Sequence, residues 1–305
     1  MRDGNVYLVW LEWPEKCFRT DAGALAYLKS AVPEGSEVVR AKTRRGFFSA
    51  LSRATHVITW YFEKEWFAKA PRLKVLATPS AGMELLPQEA PAGVKIHFGG
   101  FHGPVMAESV AAFALAWCRG LFAASAFEGE APEGAIPRVW LSDKCRSLAG
   151  TRAVVVGYGK VGRAIGEKLG ALGVSVKGFR RSNIAELPQA LKDCDWFVMA
   201  LPATAQTDDF LGPKMLAKLP RRCVVINVGR GNSIDETALV EALREGRIAG
   251  ACLDVVRKEP LKSLRSFVSP VRRLPPNLIL MPHSAAFYPG YVTDCFRELV
   301  DEGLV

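Results

Sequence analysis

The chain has 305 residues, enough for about two domains, and its 49% hydrophobic and 23% charged residues are typical of an ordinary globular protein. Its net charge of +9 would suit a nucleic-acid partner, but the basic residues are dispersed and form no DNA-binding motif, so the charge favours anionic small molecules. No apolar stretch reaches the ~20 residues that span a membrane, and no signal-peptide cleavage site is visible. We therefore expect neither a nucleic-acid nor a membrane partner.

The seven cysteines form no C-x-x-C pair, and several of them lie inside apolar, strand-like runs. This usage predicts buried, reduced thiols in a cytoplasmic protein and argues against a disulfide framework or a zinc site. No metal site is predicted. The cysteines are Cys17, Cys118, Cys145, Cys194, Cys223, Cys252 and Cys295.

The first hundred residues contain apolar, β-branched runs that alternate with helical patterns. Alternation of this kind predicts a parallel sheet with crossover helices, and therefore a small α/β unit. Asp21 is positioned to cap the first helix. The predicted strands are residues 6–11, 36–40, 55–60, 73–78 and 94–98.

A long apolar helix is predicted over residues 104–125, followed by an exposed loop at 128–138 and a second series of alternating strands and helices. The final helix, residues 290–300, has no strand of its own and is expected to return to the first domain, which makes that domain discontinuous. The predicted strands of the second series are residues 153–156, 174–179, 195–201, 223–228, 250–255 and 278–281. The predicted helices between them include 160–172, 185–194 and 235–246.

The stretch 151–162, TRAVVVGYGKVG, joins a buried strand to a helix through a glycine turn. Gly157, Gly159 and Gly162 have the G-x-G-x-x-G spacing, and the strand–turn–helix context makes a dinucleotide site the favoured interpretation. The first glycine permits the tight turn, the second lets a pyrophosphate approach, and the third lets helix and strand pack closely. The N–H groups and dipole of the helix N-terminus would then bind the phosphates. The alternative is a structural turn without a ligand.

Three chemically distinctive side chains follow later strands of the same domain: Arg230, Glu259 and His283. In open parallel sheets, ligands bind beyond the carboxyl ends of the strands. A guanidinium binds a carboxylate in a bidentate manner, and a histidine can exchange the proton of a hydroxyl group. A carboxylate beside the imidazole raises its pKa. Each residue by itself could be a surface or structural side chain, but together they predict hydride transfer on a carbonyl acid.

These motifs make the chain resemble the D-isomer-specific 2-hydroxyacid dehydrogenase family, whose members include glyoxylate/hydroxypyruvate reductases and phosphoglycerate dehydrogenase. The resemblance covers about residues 73–290. It rests on SAGMELL at 80–86, VMAESVAAFALA at 105–116, LAGTRAVVVGYGKVG at 148–162, LPATAQT at 201–207, INVGRGNSIDETALVEAL at 226–243, GACLDVVRKEPL at 250–261 and MPHSAAF at 281–287.

The resemblance implies an α/β fold with two Rossmann-like domains, each a doubly wound parallel sheet, that flank a cleft. Residues 1–103 with 287–305 would form a discontinuous substrate-binding (catalytic) domain, and residues 104–286 the dinucleotide-binding domain. Members of the family are usually dimeric through the cofactor domain, so a homodimer is expected.

The resemblance also implies roles for single residues. Arg230 would bind the substrate carboxylate and keto oxygen, His283 would be the acid/base, and Glu259 would pair with His283. The substrate would also meet backbone N–H groups around Ser80, Ala81 and Gly82. Residues 1–72 match the family only weakly; they carry Trp60 and Tyr61 after a strand, where these two rings would line the substrate pocket or, alternatively, pack in the core. The cofactor would contact Gly157, Tyr158, Gly159, Lys160, Val161, Gly162, Leu201, Pro202, Thr207, Val228 and Asp254, the last resembling the residue that holds the nicotinamide amide.

One departure from the family pattern concerns the cofactor. NAD-dependent members carry an acidic residue 23 positions after the first glycine, and that position is occupied here by Arg180, followed by Arg181 and Ser182. An arginine would bind the 2′-phosphate of NADP, whereas a carboxylate would repel it. NADP is therefore favoured over NAD; the alternative is a solvated basic turn with NAD bound. Smaller departures are Gly229, where the family usually has Ala, and Val256, where it usually has an aromatic residue.

The predicted function is that of an NAD(P)-dependent oxidoreductase which interconverts small 2-keto acids and D-2-hydroxy acids by hydride transfer, of the glyoxylate/hydroxypyruvate reductase type. The alternative is a nucleotide-sensing, corepressor-like scaffold on the same fold, because such corepressors keep the same Arg/Glu/His set. The lack of long disordered interaction tails favours the enzyme. The sequence does not indicate which 2-hydroxy acid is preferred.

Overall fold

The computed structural model describes residues 4–125, 137–259 and 275–305. The chain divides into two compact units: unit 1 is Met1–His102 with Phe287–Val305, and unit 2 is Gly103–Ala286. The boundaries predicted from the sequence lie within one residue of this division. Each unit contains a parallel sheet with helices, so the predicted α/β fold with two doubly wound sheets is confirmed.

Both sheets are wholly parallel within the described residues. The sheet of unit 1 has the order β2-β1-β3-β4-β5 and the sheet of unit 2 the order β11-β10-β9-β8-β6-β7. The strands are β1 (Val6–Trp10), β2 (Glu37–Arg40), β3 (His56–Thr59), β4 (Val75–Thr78), β5 (Lys95–Phe98), β6 (Arg152–Val156), β7 (Ser175–Phe179), β8 (Trp196–Met199), β9 (Val224–Asn227), β10 (Gly250–Leu253) and β11 (Leu278–Leu280).

The helices fill the connections that parallel strands require. Asp21 caps the first helix, as predicted, by accepting the N–H of Ala24 at 2.7 Å. The helices are α1 (Ala22–Ala31), α2 (Arg44–Leu51), α3 (Gly103–Cys118), α4 (Leu121–Ser125), α5 (Pro137–Ser142), α6 (Lys160–Ala171), α7 (Leu187–Ala190), α8 (Pro213–Leu216), α9 (Glu236–Arg244) and α10 (Tyr291–Asp301).

The last helix, α10, belongs to unit 1, where it packs on α1. Polar contacts also join it to β5. The two ring nitrogens of the buried His97 lie 3.2 Å from Glu298, on α10, and 3.0 Å from Glu302, directly after its last residue. Unit 1 is therefore built from the two ends of the chain.

Unit 2 places its glycine turn where the strand order reverses. From β6 the chain passes to β7 on one side and then to β8 on the other, so the turn after β6 lies at the topological switch point. This is the position at which doubly wound sheets bind nucleotides. Apolar residues cover both faces of the sheet, which explains why β8, β9 and β10 are buried at every position.

The prediction of one helix over residues 104–125 was wrong. The helix α3 ends at Cys118, and Gly120 adopts the left-handed conformation, with φ 66°, before α4 begins. A glycine in this conformation is a common way to end a helix. The loop predicted at 128–138 lies outside the described residues, except for residues 137 and 138, which begin α5.

All seven cysteines are free thiols, and Cys118, Cys194, Cys223, Cys252 and Cys295 are buried. Burial raises the pKa of the Cys252 thiol to about 12, which makes it an unreactive core residue. In the described parts of the chain, no helix combines the length and the apolar character needed to cross a membrane.

Candidate active site

The glycine turn after β6 has a geometry that suits a dinucleotide. Gly157 is left-handed, with φ 85°, and a side chain there would clash with the main chain of Ala200. Gly162 lies against the carbonyl of Gly157, which brings α6 close to the turn. Gly159 is exposed, has open space around it and directly precedes α6. A tight turn below an accessible helix N-terminus is a fitting site for a pyrophosphate.

The middle residue of the turn, Tyr158, packs its ring inward. A side chain at Gly166 of α6 or at Gly178 of β7 would collide with this ring, so the two glycines make room for it. Lys160 is exposed in the first turn of α6, and Val161 is partly buried against the core. The main chain of the turn, rather than the Tyr158 ring, is therefore the surface offered to a ligand.

The basic residues after β7 lie beside the glycine turn. Arg180 donates from Nε to the carbonyl oxygen of Tyr158 at 2.6 Å, and its own N–H donates to Asn183 at 2.7 Å. The residues Arg180, Arg181 and Ser182 are all exposed. A guanidinium group and a hydroxyl group thus border the turn at the end of β7, where the ribose of a bound dinucleotide is expected.

The loops that follow β8 and β9 lie against each other. The hydroxyl of Thr207 donates to the carbonyl of Pro202 at 2.6 Å and closes the first loop. A side-chain carbon at Gly229 would lie 2.6 Å from both the backbone N and O of Leu201, so only glycine allows this approach. Val228 is buried beside it. These two loops, which carry positions predicted to contact the cofactor, thus lie beside the glycine turn, because Gly157 and Gly229 both pack against the main chain of Ala200.

Arg230 is half-buried directly before the 3-10 helix Gly231–Ser233. Its carbonyl oxygen accepts hydrogen bonds from Asn227 Nδ2 at 3.1 Å and from Ser233 Oγ at 2.6 Å. Its Nη1 donates to the carbonyl of Gly229 at 3.0 Å. These contacts fix the main chain from which the guanidinium extends.

Glu259 and His283, predicted to pair, lie in direct contact: Nδ1 of His283 donates to Oε2 of Glu259 at 2.7 Å. The other oxygen of Glu259 accepts the N–H of Val256 at 3.1 Å. The hydrogen bond that His283 donates to Glu259 raises the pKa of His283 above its ordinary value, against burial and the charge of Arg230. Burial raises the pKa of Glu259, but the hydrogen bond and charge of His283 outweigh it, so this pKa lies below its ordinary value.

His283 has a left-handed backbone, with φ 57°, which costs a non-glycine residue about 1–3 kcal/mol. Asp254 holds this conformation. Its carbonyl accepts the N–H of His283 at 2.8 Å, and its carboxylate accepts the N–H groups of Ser284 at 2.8 Å and Ala285 at 3.0 Å. Burial raises the pKa of Asp254. The predicted contact with the nicotinamide remains a prediction and requires an Asp254 oxygen to accept a further hydrogen bond.

In unit 1, the loop after β4 carries Ser80, Ala81 and Gly82. The N–H of Gly82 donates to Ser80 Oγ at 3.0 Å, and the N–H of Ser80 faces Thr78 Oγ1 at 3.3 Å. Ala81 is exposed between them. Within the predicted substrate loop, Ala81 is therefore better placed than Gly82 to offer its N–H group to a carboxylate.

The two aromatic residues predicted to line the substrate pocket pack in different environments. Trp60 is 8% exposed beside Trp13 and Tyr291, with ring centroids 5.6 and 6.1 Å away. Its buried Nε1 has no hydrogen-bond partner among the described residues. Tyr61 packs 5.4 Å from Trp66 in the core of unit 1. Tyr61 therefore packs against the core, whereas the Nε1–H group of Trp60 remains a donor that a ligand could use.

Sequence reasoning missed Asn227 and Ser233, which hold the carbonyl of Arg230. It named Asp254 only as a cofactor contact and missed its support of His283. The available signal was a polar residue at or just beyond the end of an apolar strand, because a fully buried side chain such as Asn227 must find hydrogen-bond partners. The resulting site combines a cation, a carboxylate and a proton-exchanging imidazole in unit 2.

Residues 112–285, more than half of the chain, match the family described as D-isomer specific 2-hydroxyacid dehydrogenase, NAD binding domain. The chain belongs to this family. The predicted family, the Rossmann-type fold and the enzyme class, an oxidoreductase with an NAD-binding domain, are thereby confirmed.

Curated and solved relatives carry related names. A glycerate dehydrogenase from Methylorubrum extorquens is 35% identical over 141 residues, which cover 45% of this chain and 44% of that protein. A glyoxylate reductase from Thermococcus gammatolerans is 29% identical over 258 residues, 79% of this chain and 75% of that protein. The structure of an NADPH-dependent glyoxylate/hydroxypyruvate reductase from Sinorhizobium meliloti, solved with NADP and sulfate, is 25% identical, has a TM-score of 0.75 and covers 99% of this chain and 94% of that one.

Proposed function

We propose that this D-2-hydroxyacid dehydrogenase reduces small 2-keto acids to D-2-hydroxy acids with NADPH, as a glyoxylate/hydroxypyruvate-type reductase. The observation that carries the proposal is the contact between Glu259 and His283 at 2.7 Å, close enough to Arg230 for its charge to act on both groups. The same unit carries a glycine turn suited to a dinucleotide. The names of the glyoxylate reductase relatives support the choice of substrate class.

The chemistry assigned to the residues follows from their charges. Arg230 binds the substrate carboxylate and stabilises the negative charge that develops on the keto oxygen. His283, held protonated by Glu259, donates its proton from Nε2 to that oxygen. The bound reduced nicotinamide supplies the hydride. In the reverse direction the neutral imidazole accepts the hydroxyl proton, so one histidine serves both directions with opposite pH dependence.

The preference for NADPH rests on the end of β7. Arg180 contacts the glycine turn at the carbonyl of Tyr158, and Arg181 and Ser182 are exposed next to it. A phosphate there would meet two guanidinium groups and a hydroxyl, whereas no carboxylate occupies the position that binds the ribose of NAD in NAD-dependent members. NADP thus gains interactions that NAD lacks.

Two further assignments belong to this proposal. The loop Ser80–Gly82 and Trp60 contribute to substrate binding, and the protein is a homodimer formed through unit 2. The free thiols of the seven cysteines support the expected cytoplasmic location, because such thiols persist in a reducing compartment.

The experiment that tests the function is the oxidation of NADPH and NADH with a panel of glyoxylate, hydroxypyruvate, pyruvate and bulkier 2-keto acids. We expect turnover with at least one small member of the panel, faster with NADPH, and a D-2-hydroxy acid as the product. Tight dinucleotide binding without turnover of any keto acid would contradict the proposal and favour the nucleotide-sensing scaffold.

A further inference from the structure

Arg257, in the segment after β10, connects three loops of unit 2. Its guanidinium forms ion pairs with Asp208, at 3.1 Å, and with Asp209, both in the loop after β8. The same group donates to two backbone carbonyls in the loop after β9, those of Asn232 at 2.8 Å and Ile234 at 3.3 Å. One side chain thus fastens the loops that follow β8, β9 and β10.

The loop after β9 is the one that carries Arg230. Ser233, between the two carbonyls that Arg257 binds, donates to the Arg230 carbonyl from Oγ at 2.6 Å and from its N–H at 3.2 Å. Gly231 lies directly against the peptide between Val256 and Arg257, and any side chain at Gly231 would collide with it. A shift of the Arg257 segment must therefore be transmitted to the main chain of Arg230.

The segment of Arg257 also carries Glu259. The N–H of Val256 donates to Oε1 of Glu259 at 3.1 Å, and the N–H of Arg257 itself donates to Oε1 of Glu236 at 2.6 Å. The carboxylate of Glu236 fixes the main chain of the segment, and the segment fixes the carboxylate that pairs with His283. Two of the three catalytic candidates thus depend on the position of Arg257.

The loop after β8 shows a conformation that needs such support. Asp209 has a left-handed backbone, with φ 47°, and His283 is the other described non-glycine residue with a positive φ. Strained residues persist where surrounding contacts determine their conformation. For Asp209 these contacts are its N–H to the carbonyl of Asn232 at 2.9 Å and its ion pair with Arg257.

We propose that Arg257 is a positioning residue that holds Arg230 and Glu259 in their reactive arrangement. This inference rests on the proposed function. The Arg257 side chain is 39% exposed, and exposed ion pairs contribute little to global stability. Its effect therefore falls on the geometry of the loops rather than on the folding of the unit. Lysine cannot replace it fully, because the four contacts require the planar guanidinium fork.

The test compares Arg257→Gln with Arg222→Gln. Arg222 is a matched control in the same unit. It is 48% exposed and pairs with Asp195 at 2.8 Å and Asp193 at 3.8 Å, and neither partner belongs to the described parts of the three loops. For each variant, kcat and KM for the 2-keto acid, KM for NADPH and the pH profile of reduction are measured. Amide hydrogen exchange of residues 229–236 and thermal unfolding are measured on the same samples.

For Arg257→Gln we expect kcat/KM for the keto acid to fall about 10- to 100-fold, the scale of a misplaced binding group, with KM for NADPH unchanged. Reduction should be lost at a lower pH than in the parent, because Glu259 no longer holds the proton on His283. Exchange in residues 229–236 should be faster, Arg257→Lys should recover part of the loss, and Arg222→Gln should match the parent.

An Arg257→Gln variant with the parent's kcat/KM, pH profile and exchange rates would overturn the inference, as would an equal loss in Arg222→Gln. If the parent reduces no 2-keto acid, the proposed function fails, but the exchange of residues 229–236 still decides whether Arg257 orders the Arg230 loop. If Arg257→Gln does not fold, Arg257→Lys is compared with Arg222→Lys by the same measurements. An Arg257→Lys variant with the parent's kcat/KM, pH profile and exchange rates would then contradict the inference.

Discussion

Oε2 of Glu259 lies 2.7 Å from Nδ1 of His283, across 24 positions of the chain. The contact uses the ring nitrogen that does not face the substrate in the proposed reaction, so the opposite nitrogen, Nε2, is the one that exchanges a proton. It also raises the pKa of His283. The same carboxylate thus orients the imidazole and favours its protonated form, as a proton donor in reduction requires.

Replacement of Arg230 by glutamine should remove most of the activity. The variant Arg230→Gln leaves the substrate carboxylate without its cationic partner, which costs about 2–5 kcal/mol and lowers kcat/KM about 30- to 4,000-fold. NADPH affinity should not change. Steady-state kinetics and a fluorescence titration with NADPH check this expectation, and a loss of less than about fivefold would be inconsistent with the role of Arg230.

Cofactor choice should reverse when the charge of Arg180 is reversed. Charge-assisted hydrogen bonds to a phosphate contribute about 1.5–3 kcal/mol, or about 10- to 100-fold in affinity. The parent should bind NADPH more tightly than NADH at low salt, and Arg180→Asp should prefer NADH. Lys192→Asp, an equal charge change at an exposed position of the same unit, serves as the control and should keep the parent's order. Equal or tighter NADH binding by the parent would refute the preference.

Alanine, which the family usually carries at position 229, should lower both the stability and the activity of this protein. The added carbon of Gly229→Ala would lie 2.6 Å from the backbone N and O of Leu201, which forces apart the loops after β8 and β9 and costs about 1–3 kcal/mol. We expect a lower melting temperature and a lower kcat/KM. Gly170→Ala, on an exposed helical position with open space around it, should instead be neutral or stabilising. A Gly229→Ala variant as stable and active as the parent would show that the loops tolerate the extra carbon.

A second copy of the chain should cover the exposed apolar side chains of α3, α4 and α5. Leu115 is 39% exposed, and Leu121 and Val139 are each 58% exposed. Light scattering at micromolar concentration should give twice the 33.3 kDa of one chain, and Leu121→Glu should shift the particle toward the monomer. Ile184→Glu, at an exposed apolar residue outside these helices, should leave the dimer intact. A 33.3 kDa particle for the parent would contradict this surface assignment.

Much of the fold follows from local sequence. The fully buried strands β3, β4 and β9 are short runs that contain two or more β-branched residues, so their existence could be predicted, although the ends shifted by one or two residues. The break in the predicted helix 104–125 depends on the left-handed conformation of Gly120, which an apolar pattern cannot distinguish from a helical glycine. Periodicity predicted the elements, and backbone conformation decided their limits.

The supporting contacts of the site could not be predicted in the same way. The carboxylate of Asp254 accepts main-chain N–H groups about 30 positions later in the chain, and every residue except proline offers such a group. The carbonyls that Arg257 binds could not be predicted for the same reason. The pairing of Glu259 with His283 was implied by the family resemblance, and the complementary chemistry of a carboxylate and an imidazole agrees with it. Contacts between side chain and main chain leave no comparable signal in a single sequence.

In the proposed reaction, Glu259 holds the proton on His283 for reduction of a keto acid. Because the pKa of His283 is raised, reduction should persist below that pKa and fall as the pH rises through it, while oxidation shows the opposite trend. In Glu259→Gln the partner charge is absent, so the pKa of His283 should decrease toward the ordinary value.

The most direct measurement is the pH–rate profile of keto acid reduction by Glu259→Gln beside the parent, both saturated with NADPH. We expect the falling limb of the variant to move to lower pH, and the rising limb of hydroxy acid oxidation to move in the same direction. A falling limb that stays at the parent's pH would show that the Glu259–His283 pair does not hold the proton donated in reduction.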